Sequence, residues 1–334
     1  MDLEHSLDQD ALAGVVRAIV AGRFSMERIR RREGTPLVVD PDDWAALGEA
    51  GVFSLTVAED EGGVGLGMAD AAVVFEELGR GLVPGPLVAS HLAAGLTDSP
   101  LFAGAADGTT VVGAVTRPRM SDTGARVPLI VEHLASLDAM IVVGHDGLLS
   151  VLSTDDLEAE PIAHPLDPLT PLSVLTSLPE GDPVGDRDTA IRFTQGTHIL
   201  TGALCAGMAA ATCSMAVDYA KERQQFGRPI GSFQAVKHLC ADMLVRAEVA
   251  RAAVDVAAVT ADQPDTGDTV RAAAGAALLA AEAAIANAKT SIQVHGGMGF
   301  TWEVPVHLYL MRARVLASSL GPLGALARTV AARY

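Results

Sequence analysis

From Phe193 onward a helical period of apolar residues persists almost to the end of the chain. It runs roughly over Gly196 to Arg223, Gln234 to Ala261, Asp268 to Val294 and Pro305 to Leu320, with a short terminal helix after it. Helices this long, each with an apolar face, bury those faces against one another as an antiparallel four-helix bundle. The Ala-rich run Ala272 to Ala288 is broken by Gly275, Glu282 and Asn287, so it reads as a buried bundle helix, too short and too weakly hydrophobic for a membrane span.

At 334 residues the chain divides naturally into two or three domains, and 49% hydrophobic against 19% charged residues excludes disorder. Residues 1–105 read as an N-terminal helical domain. Within it, Asp40 caps a helix whose first residue is Pro41 and which stops near Gly51. A second, amphipathic helix covers Met68 to Leu78, and Pro84, Gly85 and Pro86 end that unit. Residues 106–192 turn to short β-rich runs, at Thr109–Val115, Asp138–Val143 and Leu148–Leu152, and form a small middle β domain in which 179–188 reads as a solvated loop. Residues 193–334 are the bundle. The fold class is α+β, mostly α.

The net charge of -17 argues against nucleic acid and against an anionic membrane face, so any anionic ligand must be held by local basic residues. Cys205, Cys213 and Cys240 have no metal-ligand spacing and read as free thiols of a reducing cytoplasm. The start, Met1-Asp-Leu-Glu-His-Ser, lacks the features of a signal peptide. No metal site and no membrane association are expected.

Two stretches carry chemistry. The first is Arg223-Gln-Gln-Phe226-Gly227-Arg-Pro-Ile-Gly-Ser-Phe-Gln234, between two long helices. A guanidinium fork can bind two phosphate oxygens while an aromatic ring three residues on packs against a flat ligand. Spacing alone favours the plainer reading, a helix end with an ion pair and a core Phe. The second stretch is Gln293-Val-His-Gly296-Gly297-Met-Gly-Phe300, whose glycines either end a helix or let main-chain amides approach a ligand. By contrast, Gly62-Gly-Val-Gly-Leu-Gly67 lacks the βαβ setting of a phosphate loop and reads as a turn that permits close helix packing.

Taken with Trp44–Leu55, Glu59–Gly67, Phe75–Pro84 and Thr301-Trp-Glu-Val-Pro-Val-His-Leu-Tyr309, these stretches resemble the acyl-CoA dehydrogenases in order and spacing over the first and last thirds. The resemblance implies that family's fold and its cofactor, FAD. It also implies that Arg223, Gln225 and Phe226, with Gln293, Val294, His295, Gly296 and Gly297, reach the ADP half of an FAD bound mainly by a neighbouring subunit.

The family's reaction needs a glutamate on the substrate α-carbon. Its two known places align with Leu320 and Thr197, neither of which can take a proton, so no catalytic residue is assigned. His198 beside the second is the available substitute, and Glu303 belongs to neither place. The family's flavin-ring segments are also missing from the middle third, where Val115-Thr-Arg-Pro-Arg-Met-Ser-Asp122 keeps only a Pro and a Ser-Asp.

The expectation is therefore a non-catalytic subunit paired as α2β2 with a homologous, glutamate-bearing partner whose cleft takes the acyl-CoA. The resemblance is nearest to heterotetrameric dehydrogenases of actinobacterial steroid side-chain breakdown, with electron-transfer flavoprotein or a similar acceptor. The competing expectations are a homomeric flavoenzyme with a displaced base such as His198, and a structural or regulatory subunit without cofactor.

Overall fold

A computed structural model describes residues 3–35, 37–96, 98–117, 128–155 and 157–333. Along the chain come α1 (Leu7–Arg23), α2 (Met26–Arg30), α3 (Pro41–Glu49), α4 (Met68–Arg80) and α5 (Leu87–Ala94). Seven strands follow: β1 (Val112–Thr116), β2 (Leu129–Glu132), β3 (Ala139–Val143), β4 (Leu149–Ser153), β5 (Ala159–Pro161), β6 (Leu172–Leu175) and β7 (Asp182–Val184). Then come α6 (Arg187–Glu222), the ribbon β8 (Gln224–Gln225) and β9 (Arg228–Pro229), α7 (Gln234–Asp262), α8 (Thr269–His295), α9 (Val306–Ser319) and α10 (Leu323–Ala332). The α+β, mostly α class holds. Two compact units result, one of Met1–Met26, Met68–Val83 and His198–Tyr334, the other of Glu27–Gly67 and Pro84–Thr197.

In the first unit α8 packs against α7, α9 and α10, and α4 against α1 and α7. Alanine makes this possible: Ala273, Ala277, Ala280, Ala284 and Ala288 recur three and four residues apart along α8 and are all buried. One polar residue sits among them. Asn287 donates to the carbonyls of Ala209 (3.0 Å) and Met243 (2.9 Å) and accepts from Arg246 Nε (2.8 Å), tying α6, α7 and α8 at one level. Helix α4 meets α6 at two glycines, since a Cβ on Gly79 would lie 2.1 Å from the Leu204 carbonyl and one on Gly207 1.9 Å from that of Glu76. The end of α4 is held by α9, whose Tyr309 hydroxyl donates to Arg80 O (2.7 Å) and whose buried Arg312 donates to Val83 O (3.3 Å).

In the second unit a four-stranded sheet has the order β1-β3-β4-β7, parallel only between β1 and β3, and a three-stranded antiparallel sheet has the order β2-β6-β5. Successive residues of a strand point to opposite faces, and β3 is buried on both. Ala139 and Ile141 join Val112, Val151 and Phe193 in one cluster, while Met140 and Val142 join Val131 and Leu175 of the second sheet in another. Helix α3 starts as expected, with Asp40 accepting from the amides of Asp42 (2.9 Å) and Asp43 (3.4 Å) ahead of a Trp44 ring packed 4.6 Å from Phe53.

Three expectations need correction. First, α6 begins at Arg187, well before Gly196, because Asp186 caps it by accepting from the Thr189 amide (2.8 Å) and hydroxyl (2.8 Å), bonds that also lower the Asp186 pKa. The stretch 179–188 is accordingly not all loop, since Asp182–Val184 pairs with β4. Second, the glycine run 62–67 serves its own return and not helix packing. The amides of Val64, Gly65 and Leu66 donate to Ser54, Val57 and Leu55, so they are not free to cradle a phosphate. Third, α6 and the helical stretch Thr269–Phe300 are long and apolar enough to cross a membrane by length and composition. The expectation for Ala272–Ala288 underrated that helix, because alanine adds apolarity without bulk. Of the two apolar windows, 78% and 44% respectively lie buried inside the protein.

Candidate functional site

Helix α6 ends where Arg223 leaves it, its amide donating to Tyr219 O (2.8 Å), and the chain turns at once into the β8–β9 ribbon. Gln225 pairs with Arg228 and Gln224 with Pro229, so the turn consists of Phe226 and Gly227 alone. Both have positive φ, 53° and 77°, as a two-residue type I′ turn requires. Gly227 adopts this freely. Phe226 does not, since a residue with a Cβ gives up about 1–2 kcal/mol in the left-handed region. The ring so held is 91% exposed.

The hairpin is braced from below. Ile230 N–H donates to Arg223 O (2.8 Å), and a Cβ on Gly231 would lie 2.8 Å from Ala220 O, which marks how closely the return strand lies on α6. Phe233, half-buried, receives Arg228 on its face at 4.2 Å and Phe226 edge-on at 6.1 Å. Arg223, Gln225 and Arg228 are exposed.

The second stretch lies at the same end of the bundle. Val294 belongs to the apolar cluster of Cys213, Ala216, Ala220 and Met243, against which Tyr219 and Ile230 also pack. The His295 ring stacks on Tyr219 at 4.3 Å, and its Nδ1 donates to Ser291 O (2.7 Å). The side chains of Val294 and His295 are thus taken up inside the bundle and can offer a ligand only their backbone. Gln293, Gly296 and Gly297 are exposed. Gly296 has φ 59° at the helix end, and a Cβ on either glycine would meet nothing within 4 Å among the described residues. The structure therefore brings Arg223, Gln225 and Phe226 to the same apolar base as Gln293–Gly297, leaves six of these eight residues open and buries two, Val294 and His295, with His295 packed as the link.

The two places considered for a base lie elsewhere. Thr197 turns its hydroxyl back to Phe193 O (2.8 Å). Leu320 packs with Leu278, Leu323 and Val330 around Ala274, Ala277 and Leu326. Burial lowers the His198 pKa, which keeps the ring neutral, and Glu303 is exposed. Of Val115–Asp122, residues 118–122 lie outside the described residues. The cysteines are free thiols, and burial pushes Cys205 up to about 12.

Sequence reasoning did not single out Arg228 or Phe233, although both stand in the quoted stretch. Their signal is the ribbon register, which a Phe-Gly turn does not advertise.

Comparison with known proteins gives two family matches, to the acyl-CoA dehydrogenase N-terminal domain over residues 6–103 and to the acyl-CoA dehydrogenase C-terminal domain over residues 188–334. Acyl-CoA dehydrogenase FadE34 of Mycobacterium tuberculosis is 36% identical over 349 residues, covering 98% of this chain and 48% of that protein, so the chain spans about half its length. Acyl-CoA dehydrogenase IpdE2 of Mycolicibacterium smegmatis is 34% identical over 323 residues, covering 95% and 96% of the two chains. Among solved structures, a chain of the ChsE4-ChsE5 complex from Mycobacterium tuberculosis superposes with a TM-score of 0.85 at 25% identity, covering 99% and 98%.

Proposed function

This chain belongs to the acyl-CoA dehydrogenase family, and from that premise we propose that it is the non-catalytic subunit of a hetero-oligomeric, FAD-dependent dehydrogenase. A homologous partner would supply the glutamate base and the flavin-ring pocket, and this chain would complete the partner's FAD site. One asymmetry carries the reading. The places where the family resemblance puts a base hold a back-bonded threonine and a partly buried leucine packed on a core cluster, while Arg223, Gln225, Phe226, Gln293, Gly296 and Gly297 stand exposed toward a neighbour's cofactor.

The exposed groups suit the ADP end of FAD. Arg223 can fork onto phosphate oxygens. Phe226 presents a flat face. The carbonyl end of α8 carries partial negative charge, so the Gln293–Gly297 corner suits the hydroxyl and amine donors of an adenosine better than its phosphates. When bound, the flavin would accept the hydride that leaves the acyl β-carbon. This chain's own residues bind and orient, and none of them moves the α-proton.

Two of the comparisons support a pairing. One solved relative is a complex of two differently named chains, and FadE34 has room for a second module of this size beside the matched one. An α2β2 assembly in a reducing cytoplasm, working on a bulky acyl-CoA such as a steroid side-chain thioester and passing electrons to an electron-transfer flavoprotein, completes the proposal. Co-expression with a homologous partner, followed by flavin counting, tests it: one FAD per heterodimer is expected, with loss of flavin in Arg223→Ala. Turnover by the isolated chain on its own bound flavin would overturn it, and unchanged flavin content in Arg223→Ala would leave only a structural role.

A further inference from the structure

We propose that Arg228 is a further cofactor-binding residue, a second guanidinium for the diphosphate of the shared dinucleotide. The inference rests on the shared-site reading above and adds a residue that neither the family resemblance nor the spacing named. Three observations point to it.

The first is register. Gln225 and Arg228 are direct partners across the ribbon, and the Ile230-to-Arg223 hydrogen bond continues the pairing one step. Alternation along a strand then puts Arg223, Gln225 and Arg228 on one face. The second is charge. A diphosphate carries at least two negative charges and one guanidinium matches only part of them, in a chain whose overall charge of -17 repels it. Among the described residues neither Arg223 nor Arg228 is paired with a carboxylate, whereas eight other arginines are, such as Arg17 with Glu77 and Arg251 with Asp255.

The third observation is pre-organisation. The Arg228 guanidinium lies 4.2 Å from the Phe233 ring centroid, and Phe233 also sets the edge of Phe226. A stacked guanidinium has surrendered part of its rotamer freedom before a ligand arrives and still has its in-plane N–H groups to offer. Held over a half-buried ring beside a strained turn, the Arg228 guanidinium is confined to the neighbourhood of the hairpin tip. Phe233 is by this argument a positioning residue, acting through Arg228 and Phe226.

The test uses the complex with its co-expressed homologue, stripped of flavin and titrated with FAD, ADP and riboflavin, for wild type, R223A, R228A and R228K. R228A is expected to raise the FAD and ADP dissociation constants roughly tenfold, the loss of one charge-assisted contact. R228K is expected to recover only part, because it restores charge without a planar stack. Riboflavin, which lacks the whole ADP half, is expected to bind R228A as it binds wild type. If R223A weakens FAD and R228A does not, Arg228 is a solvated side chain and the inference is overturned while the shared site stands. Equal weakening of riboflavin in R228A also overturns it, because the effect would not arise at the diphosphate. If neither variant changes FAD binding, the shared-site reading falls and takes this one with it.

Discussion

Replacing Phe226 by Asn separates what the hairpin tip does for the fold from what it does for a ligand. At φ 53° the native Phe sits in the left-handed region, where a Cβ costs about 1–2 kcal/mol and Asn is among the residues best able to relieve it. Against that gain stands little packing, because the ring is 91% exposed and Phe233 is 6.1 Å away edge-on. Such a contact at the surface is worth about 0.5 kcal/mol. The difference predicts that Phe226→Asn stabilises the isolated chain by about 0.5–1.5 kcal/mol, a rise in Tm of roughly 1–4 °C by calorimetry. In the flavin-loaded complex the sign reverses, since loss of an aromatic face against an adenine or sugar costs about 1–3 kcal/mol and weakens FAD by roughly 5- to 100-fold. Phe53→Ala, at a fully buried ring, is the contrast and should cost about 3–5 kcal/mol in the isolated chain. A Phe226→Asn variant that melts as early as the core truncation would show that the ring is structural. One that melts later yet keeps all its flavin would show that the strained tip serves neither purpose argued for it.

Gly207→Ala should destabilise by several kcal/mol, because its Cβ would meet the Glu76 carbonyl at 1.9 Å and backbone must move, whereas Gly275→Ala, whose Cβ would meet among the described residues a Val330 methyl at 3.8 Å, should stabilise by up to about 1 kcal/mol; urea unfolding of the pair checks both signs. His91 is wholly buried, its Nδ1 donating to Val52 O (3.0 Å) and its Nε2 lying 3.2 Å from the Thr56 hydroxyl, and burial lowers its pKa from 6.5 to about 4. A depressed folded pKa means that the neutral ring's contribution is complete above pH 6.5 and is lost as pH falls from there to about 4. At 1.36 kcal/mol per unit this is on the order of 3 kcal/mol, and the pH dependence of urea unfolding should lose that increment in His91→Asn; an identical pH slope in the variant would refute the assignment.

The bundle was legible because four long segments repeat apolar residues with one period, and α7 and α8 lie within a residue or so of where the pattern puts them. The start of α6 was hidden because its first turns are mostly polar and exposed, with only Ala190 and Phe193 buried, and are held by the Asp186 cap, which carries no periodicity. Strands β1, β3 and β4 are apolar runs and could be read, whereas β5 and β7 are three residues long and contain Pro, so only their pairing with a neighbour makes them strands. At the site, residue types announced a guanidinium, a ring and a pair of glycines. They did not announce that Phe226 occupies a turn position suited to Asn or Gly, nor that Val294 and His295 face inward, because both facts depend on which way a short ribbon and a helix end rotate.

That rotation is set by one small cluster. Tyr219 precedes the hairpin by one helical turn, Ile230 follows it, and Val294 and His295 end α8; Tyr219, Ile230 and Val294 meet around Ala216, Ala220 and Met243, and His295 joins them by stacking on Tyr219. Segments 70 residues apart are thereby fixed to a common base, so the phosphate-facing hairpin and the adenosine-facing corner keep their spacing without a ligand. Disturbing the base should therefore loosen both at once. Tyr219→Ala removes the stack without touching any exposed group, and it should weaken ADP binding to the complex in the same direction as Arg223→Ala while also raising the proteolytic sensitivity of the hairpin, which Arg223→Ala should leave unchanged. Weaker ADP binding without a looser hairpin would mean that Tyr219 touches the nucleotide itself, and a looser hairpin with full ADP affinity would mean that the two segments do not act as one site.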